Sequence, residues 1–544
     1  MKIPFVNFFR ETIMRSTISK LTTLLAVSLT SATLYAQSPE KPNIILVVTD
    51  DQHRIDFNYL KEGRDENGKA LNLTPNIDRL SSEGIIFDQM YATSTVCTPS
   101  RFSVLTGNLA SRATNSRFTK DLKKYGQANV AFNTHIEPKN DNIAKTLSQN
   151  GYFTGGVGKN HVIESHIPNK ISRKADVTKP EIIKQLVENQ QAQIHAYKEN
   201  GFDFADRIYT GNVPGQYPKA LEAHNQDWIT EGAMNFLDIA KTKEQPFFLY
   251  FATTLEHGPH KQGSKYKGDV RMTPVGLLSD EDIPNVQPSR DSITKRIKQH
   301  GLEKRATDVL WLDDAVGALI TKLEKTNKLD NTIIVYFNDH GVEGGKGSMY
   351  QGGTLTPSFV WFGDKFKGGR RIDDIVANID IAPTIYELAQ VKSAPKTDGQ
   401  SMVPLYQGDN SEWRDSLISE IGVTRAIIKD GWKYIAYRVP QEKLDMPMSE
   451  RKKLKQGKGK SAKDLPWMHM GGTPGGRGLE ALVVKTYGEE NYFAKDQLYR
   501  YLDDPKERNN VIDNPENKKI VEELKQELAQ ELKKRVGTFA EFTE

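Results

Sequence analysis

Three apolar runs in this sequence end in acids or histidines. Ile44-Ile45-Leu46-Val47-Val48 leads into Thr49-Asp50-Asp51, Phe247-Phe248-Leu249-Tyr250-Phe251 precedes Glu256-His257, and Ile333-Ile334-Val335-Tyr336-Phe337 meets Asn338-Asp339-His340. Carboxylates and imidazoles are the side chains that hold cations and move protons. An acidic pair alone reads equally well as a helix cap or turn; a second such pair at another strand end favours a metal site. The only cysteine, Cys97, stands in Cys97-Thr98-Pro99-Ser100-Arg101. Proline suits the first helical position, where its missing N–H costs nothing, so residue 97 is expected at or just before a helix N-terminus. Free backbone N–H groups there attract an anion. Arg101, four positions on, would share that helix face. One cysteine allows no intrachain disulfide, and alone it reads as a small buried core residue.

The elements that must position these groups follow from the same runs. Short all-apolar stretches read as strands buried on both faces, and helical patterns lie between them, at Asn142 to Asn150 and Arg305 to Lys325. That alternation predicts an α/β sandwich with a mostly parallel sheet. Ligands of such sheets bind beyond the carboxyl ends of the strands, where these acids and histidines fall. After about Gln407 the texture changes. Ala426 to Tyr437 predicts a hairpin about an Asp430-Gly431 turn, Gln497 to Leu502 a further strand, and Asn514 to Val536 a charged amphipathic helix. A chain of 544 residues exceeds one compact core. The expected division is a large domain at 37–407 and a smaller α+β domain at 408–544. The Lys- and Gly-rich stretch Arg451 to Lys463 reads as a solvated loop. Gly471 to Gly478 is not followed by a clear helical pattern and does not read as a phosphate loop.

Residues 1–36 carry Lys2, Arg10, Arg15 and Lys20 against Glu11, then a short apolar stretch from Leu21 to Leu29, then small residues ending at Ala36. That order is expected of a cleaved export signal, and the apolar stretch is too short to span a bilayer. The mature protein is expected to be periplasmic or secreted, with no membrane span. The whole chain has a net charge of only +4. A body so close to neutral excludes an overall electrostatic grip on nucleic acid.

The string Cys97-Thr98-Pro99-Ser100-Arg101 resembles the C-x-P-S-R signature of type I sulfatases, in the alkaline phosphatase superfamily, and the chain resembles that family along its length. The resemblance implies conversion of Cys97 to formylglycine (3-oxoalanine) by a formylglycine-generating enzyme. One hydroxyl of the hydrated aldehyde would attack sulfur and the other would later expel sulfate, splitting one hard hydrolysis into two easier steps. Asp50 and Asp51 match the family's first metal pair, and Asp339 and His340 the second. With residue 97 they form a mostly oxygen shell, which suits one calcium ion per chain. Lys159 and His161 resemble the G-K-x-H element, Lys159 neutralising sulfate or nucleophile and His161 taking a proton when sulfate leaves. Arg101 would steady the modified side chain. His257 aligns with the histidine before x-Pro, for leaving-group or sulfate contact. Lys346 resembles the lysine after the second metal pair and would bind sulfate oxygens.

Two departures from the family pattern, Asn160 and Glu256, remove no catalytic group but reshape the pocket. His260 and Arg477 are candidates for substrate contact. His53, His135, His166, His195, His224, His300 and His469 read as surface or packing groups, although His53 and His166 flank motif segments. The implied activity is hydrolysis of sulfate esters of a carbohydrate, such as a sulfated algal polysaccharide or a glycosaminoglycan. A phosphodiester or phosphonate monoester hydrolase of the same superfamily, and a non-catalytic sulfated-glycan-binding protein with unmodified Cys97, remain the alternatives.

Overall fold

The computed structural model describes residues 40–438, 476–535 and 539–543. The expected signal segment and the loop Arg451 to Lys463 lie outside the described residues. An eight-stranded sheet organises the larger part of the chain. Five neighbouring strands run parallel, in the order Thr332–Asn338, Asn43–Asp50, Phe247–Glu256, Phe153–Lys159 and Phe204–Tyr209. Beyond Thr332–Asn338 lies the antiparallel Ser358–Trp361, then Ile85–Phe87 and Arg370–Ile372. The mostly parallel sheet agrees with the sequence expectation.

The apolar runs are continuous because the sheet is covered on both sides. Ile44, Leu46 and Val48 enter one buried cluster with Phe248, Tyr250, Ile333 and Val335. Their neighbours Ile45 and Val47 enter the opposite cluster with Leu249, Phe251, Ile334 and Tyr336. The helices Gln226–Ala240 and Ala306–Lys325 contribute Phe236, Leu237, Val316, Leu319 and Leu323 to the second cluster. The helices Cys97–Thr106, Ile143–Gln149 and Ile381–Leu388 supply Leu105, Leu147 and Ile385 to the first. Each fully buried side chain of this size stabilises by about 1.5–3 kcal/mol. The parallel block therefore holds its five carboxyl ends along one edge.

A second sheet of four antiparallel strands comprises Ser416–Ile421, Thr424–Lys429, Trp432–Tyr437 and Asp496–Arg500. Asp430 and Gly431 both take positive φ, 49° and 79°, as the tight primed turn between right-twisted strands requires. The helix Lys518–Lys533 lays Leu524, Leu528 and Leu532, spaced four apart, against Leu417, Ile427 and Leu498 of this sheet. It is shorter than the expected Asn514 to Val536, because Pro515 opens a separate turn of 3₁₀ helix before it. A helix, Gly476–Tyr487, also follows the Gly-rich stretch, contrary to the sequence expectation. Its first turn contains Gly476 and Gly478, poor helix formers that hide its start in the sequence. Among the described residues no helix is long and apolar enough to cross a membrane.

The C-terminal helix is bolted to the larger layer through a buried carboxylate. Asp398 accepts two bonds of 2.7 Å from Arg112 and another from Arg535. Burial opposes its ionisation, but Arg112 and Arg535 outweigh burial and hold the carboxyl below its usual range. Such a group stabilises above its unfolded value near pH 4, and the contribution disappears as pH falls through the lower folded value. Asp398→Asn should therefore cost about 1–3 kcal/mol at pH 7, since the partly buried Arg112 loses its counter-ion while Arg535 keeps Glu531. Chemical unfolding of variant and wild type should show that gap intact at pH 5 and closing below pH 4; a gap independent of pH would contradict the assignment.

Candidate active site

The two acidic pairs are brought together by neighbouring strand ends. Asn43–Asp50 and Thr332–Asn338 pair in parallel with Thr49 opposite Asn338. The next residues, Asp51 and Asp339, therefore leave the sheet side by side, and Asp51 N–H donates to Asp339 Oδ1 at 3.4 Å. Asp51 has φ of 57°, a left-handed conformation that a residue with a Cβ holds only when its surroundings impose it. Asn338 imposes it. Its Oδ1 accepts from Gln52 N–H at 3.0 Å and from Thr49 Oγ1 at 3.2 Å. Its Nδ2 donates to His340 O at 2.6 Å, to Gln52 O at 3.1 Å and to Thr356 Oγ1 at 3.2 Å.

The helix that presents residue 97 begins at Cys97 itself, and all ten of its residues are buried. Pro99 occupies the third helical position rather than the expected first. Arg101 is fully buried and turns toward the strand ends: Nη2 donates to Asp339 Oδ2 at 3.2 Å and Nη1 to Tyr250 Oη at 3.3 Å. Ser100 Oγ donates to the Asp339 carbonyl, which ties this helix to the second strand end.

Residue 97 meets both pairs. Cys97 Sγ lies 3.6 Å from Asp50 Oδ1 and 3.7 Å from His340 Nε2. His340 Nε2 is 3.4 Å from Asp51 Oδ1 and 3.6 Å from Asp339 Oδ1. The ring's other nitrogen, Nδ1, donates to Gly341 O at 3.1 Å, which aims Nε2 at the cluster. Lys346 Nζ bonds both oxygens of Asp51 at 2.5 and 2.6 Å. Lys159 Nζ pairs with Asp50 and donates to Asn212 Oδ1 at 2.6 Å. His257 Nε2 lies 3.7 Å from Asp51 Oδ2 while its Nδ1 donates to Gly258 O at 3.0 Å.

These donors fit a hard divalent cation. The ligand atoms of Asp51, Cys97 and His340 all lie within 4.8 Å of one another, as do those of Asp50, Cys97 and Asp339. Oxygens bound to calcium at 2.3–2.6 Å are at most about 5 Å apart. The charges are also prepared for an anion at residue 97. Burial works against ionising the Cys97 thiol, yet Lys159 and Lys346 outweigh it and bring the group down to about 6. Burial likewise opposes ionisation of Asp50, but Lys159 leads a set of cations that hold it well below the usual carboxylate range. Asp339, whose burial dominates, is pushed up to about 7.

His161 stands within electrostatic range of Lys159 and Asp50, and burial, then Lys159, keep its imidazole neutral. Its ring stacks on Phe132 at 5.6 Å. His260 is exposed beyond His257, and the side chain of Arg477 lies outside the described residues. His53 is held by Glu343 at 3.2 Å, so it links the loops after the two metal pairs. Glu256 is buried against Lys265 at 2.6 Å, and Lys265 also pairs with Asp308 at 3.2 Å. Sequence reasoning missed Asn338, Asn212 and Tyr250. Asn338 directly precedes Asp339 at a strand end, which was a usable signal; nothing local marks Asn212, whose loop reaches Lys159 only through the fold. His224, expected as a packing group, is buried with Nδ1 on Thr254 Oγ1 at 2.8 Å and Nε2 unpartnered.

A strand-edge cluster of carboxylates and cations on this sheet is chemically suited to an anionic ester. The sulfatase family model matches residues 42–391, and the chain belongs to the sulfatase family, whose members are sulfuric ester hydrolases. It is 24% identical over 539 residues to an arylsulfatase of Clostridium perfringens, covering 91% of this chain and 95% of that one. It is 24% identical over 522 residues to an ulvan-active sulfatase of Formosa agariphila, covering 90% and 74%. A solved sulfatase from Pseudoalteromonas sp. shares the fold, with a TM-score of 0.53, 18% identity, and 92% and 93% of the two chains covered.

Replacing Asn338 with leucine keeps the branching, adds volume and deletes every one of its side-chain bonds. Several buried donors and acceptors would lose their partner, at about 1–3 kcal/mol for each left unsatisfied. Asn338→Leu should therefore lower folding stability by about 3 kcal/mol or more, read by chemical unfolding. A loss under about 1 kcal/mol would mean that the loops are held by other contacts.

Proposed function

We propose that this enzyme hydrolyses sulfate esters of a carbohydrate, with residue 97 converted to formylglycine and one calcium ion held by Asp50, Asp51, Asp339 and His340. The observation that carries the reading is Cys97 Sγ at 3.6–3.7 Å from Asp50 and His340, with the ammonium groups of Lys159 and Lys346 set against the adjoining carboxylates. Formylglycine supplies a hydrated aldehyde as nucleophile, and calcium supplies positive charge beside it.

The remaining roles belong to the chain's own side chains. Lys159 and Lys346 bind sulfate oxygens and offset charge that grows on them. Arg101 keeps Asp339 oriented. His257 presents Nε2, the nitrogen left free by the Gly258 contact, to protonate the departing sugar oxygen. His161, held neutral, accepts the proton given up when sulfate is expelled. Cys97 is fully buried, so the formylglycine-generating enzyme must meet this segment before its helix packs. The carbohydrate assignment draws on the family and on relatives such as the ulvan-active sulfatase; a sulfated algal polysaccharide, or a glycosaminoglycan, is the proposed substrate. His260 and Arg477 are proposed to contact that chain. The order of residues 1–36 supports export to the periplasm or medium. The catalytic part is proposed to span 37–407 and the smaller part 408–544.

Sulfate release from a panel of sulfated algal oligosaccharides and glycosaminoglycans, in calcium buffer and after co-expression with a formylglycine-generating enzyme, tests the activity. Cys97→Ala should reduce the rate by about 10³-fold or more, as loss of a nucleophile does. An unchanged rate would sink the mechanism. Calcium at 100 times its dissociation constant should stabilise the protein by about 2.7 kcal/mol in thermal unfolding. That shift should vanish in Asp50→Ala; a shift surviving there would place the ion elsewhere.

A further inference from the structure

We propose that Lys433 and Glu507, in the C-terminal part of the chain, act as positioning residues for Lys346 and so complete the active site. The inference rests on the role given above to Lys346. That lysine stands on the loop between Asp339-His340 and the strand Ser358–Trp361. Its ammonium group grips Asp51, and Gly347 N–H donates to Thr95 O at 3.0 Å. A few residues further on, the loop is held from the other direction, by the small sheet.

Lys433, on the strand Trp432–Tyr437, is fully buried and reaches across to this loop. Its Nζ donates to Met349 O at 3.1 Å and to Gln351 Oε1 at 2.8 Å. It also pairs with Glu507 Oε1 at 2.8 Å, and both side chains are completely inaccessible to solvent. Glu507 Oε2 accepts Gln351 N–H at 2.5 Å. Tyr487 adds a second grip, with Oη accepting Gly352 N–H at 3.2 Å and its ring stacked on Tyr350 at 3.9 Å. The fit leaves no slack: a Cβ on Gly352 would lie 2.5 Å from Tyr487 Oη and 2.3 Å from Glu343 O.

A buried ion pair is a poor source of stability, because desolvation absorbs most of the attraction, and apolar residues of equal volume hold two layers together as well. Apolar residues cannot bind a carbonyl and an N–H of the loop in one geometry. That is what this pair does. An ammonium group that must meet sulfate oxygens within hydrogen-bond distance is sensitive to such geometry, since a shift of 1 Å can cost about 10²-fold in rate.

The test is a double-mutant cycle on the matured, calcium-loaded enzyme, assayed on whichever sulfated oligosaccharide of the panel the wild type cleaves. Lys433→Met combined with Glu507→Leu replaces the pair by apolar residues of similar volume. The folding midpoint should fall, because Met349 O, Gln351 N–H and Gln351 Oε1 lose their partners, while kcat/KM of the folded enzyme falls about 10- to 100-fold. In a Lys346→Ala background the same replacement should cost less than about twofold, because it acts through that lysine. Equal losses in both backgrounds, or no loss in the wild-type background, would overturn the inference. Should the double replacement fail to fold, Glu507→Gln enters the same cycle with the same expectation. Full activity in Lys346→Ala alone would refute the role of Lys346 itself, an outcome separate from failure of the clamp.

Discussion

Like charges that meet in a pocket poor in water repel far more strongly than in solvent, and three carboxylates meet here. Asp50, Asp51 and Asp339 surround one point, and the neighbouring polar structure answers that repulsion. Each carboxylate has its own cation: Lys159 for Asp50, Lys346 for Asp51 and Arg101 for Asp339. The three cations come from a strand, a loop and a helix far apart in sequence. Lys159 and Lys346, which hold Asp50 and Asp51 ionised, also lower the thiol of Cys97. One arrangement thus has the chemistry to suit both a divalent cation and an anion.

The backbone must be as well determined as the charges. Two parallel strands in register deliver the acidic pairs side by side, and Asn338 closes the loops that follow by bonding to both. Asp51 remains in the left-handed region because its neighbours leave it no other place. The helix beginning at Cys97 is buried along its whole length and locked to Asp339 through Ser100 and Arg101. Groups held this rigidly need little reorganisation if charge develops beside them.

The small sheet contributes more than a lid of apolar surface. Its helix buries leucines four apart, which is enough for docking. Its polar residues do something different, since Lys433, Glu507, Tyr487 and Gln497 all bond or pack against residues 349–352. Polar atoms buried this deeply are costly unless satisfied, so they specify one docking geometry where apolar contacts would allow several.

Some of this was legible in the residues. The runs at Ile44, Phe247 and Ile333 announce strands buried on both faces, because only such strands tolerate apolar side chains at every position. Their acid and histidine endings announce a site, because parallel strands share one carboxyl edge. Cys97-Thr98-Pro99-Ser100-Arg101 is specific enough to point to the family. Helix ends were less legible, as at Gly476 and Lys518, where glycine and proline neighbours blur the boundary. Partners distant in sequence were not legible at all. Nothing near Asn212 shows that it meets Lys159, and nothing near Lys433 shows that it reaches Met349. The sequence by itself determined the fold class, the family and the strand ends that carry the candidate groups, since these follow from local periodicity and motif. Only the tertiary structure decided which cation answers which carboxylate, because that pairing depends on distances between elements that local sequence does not encode.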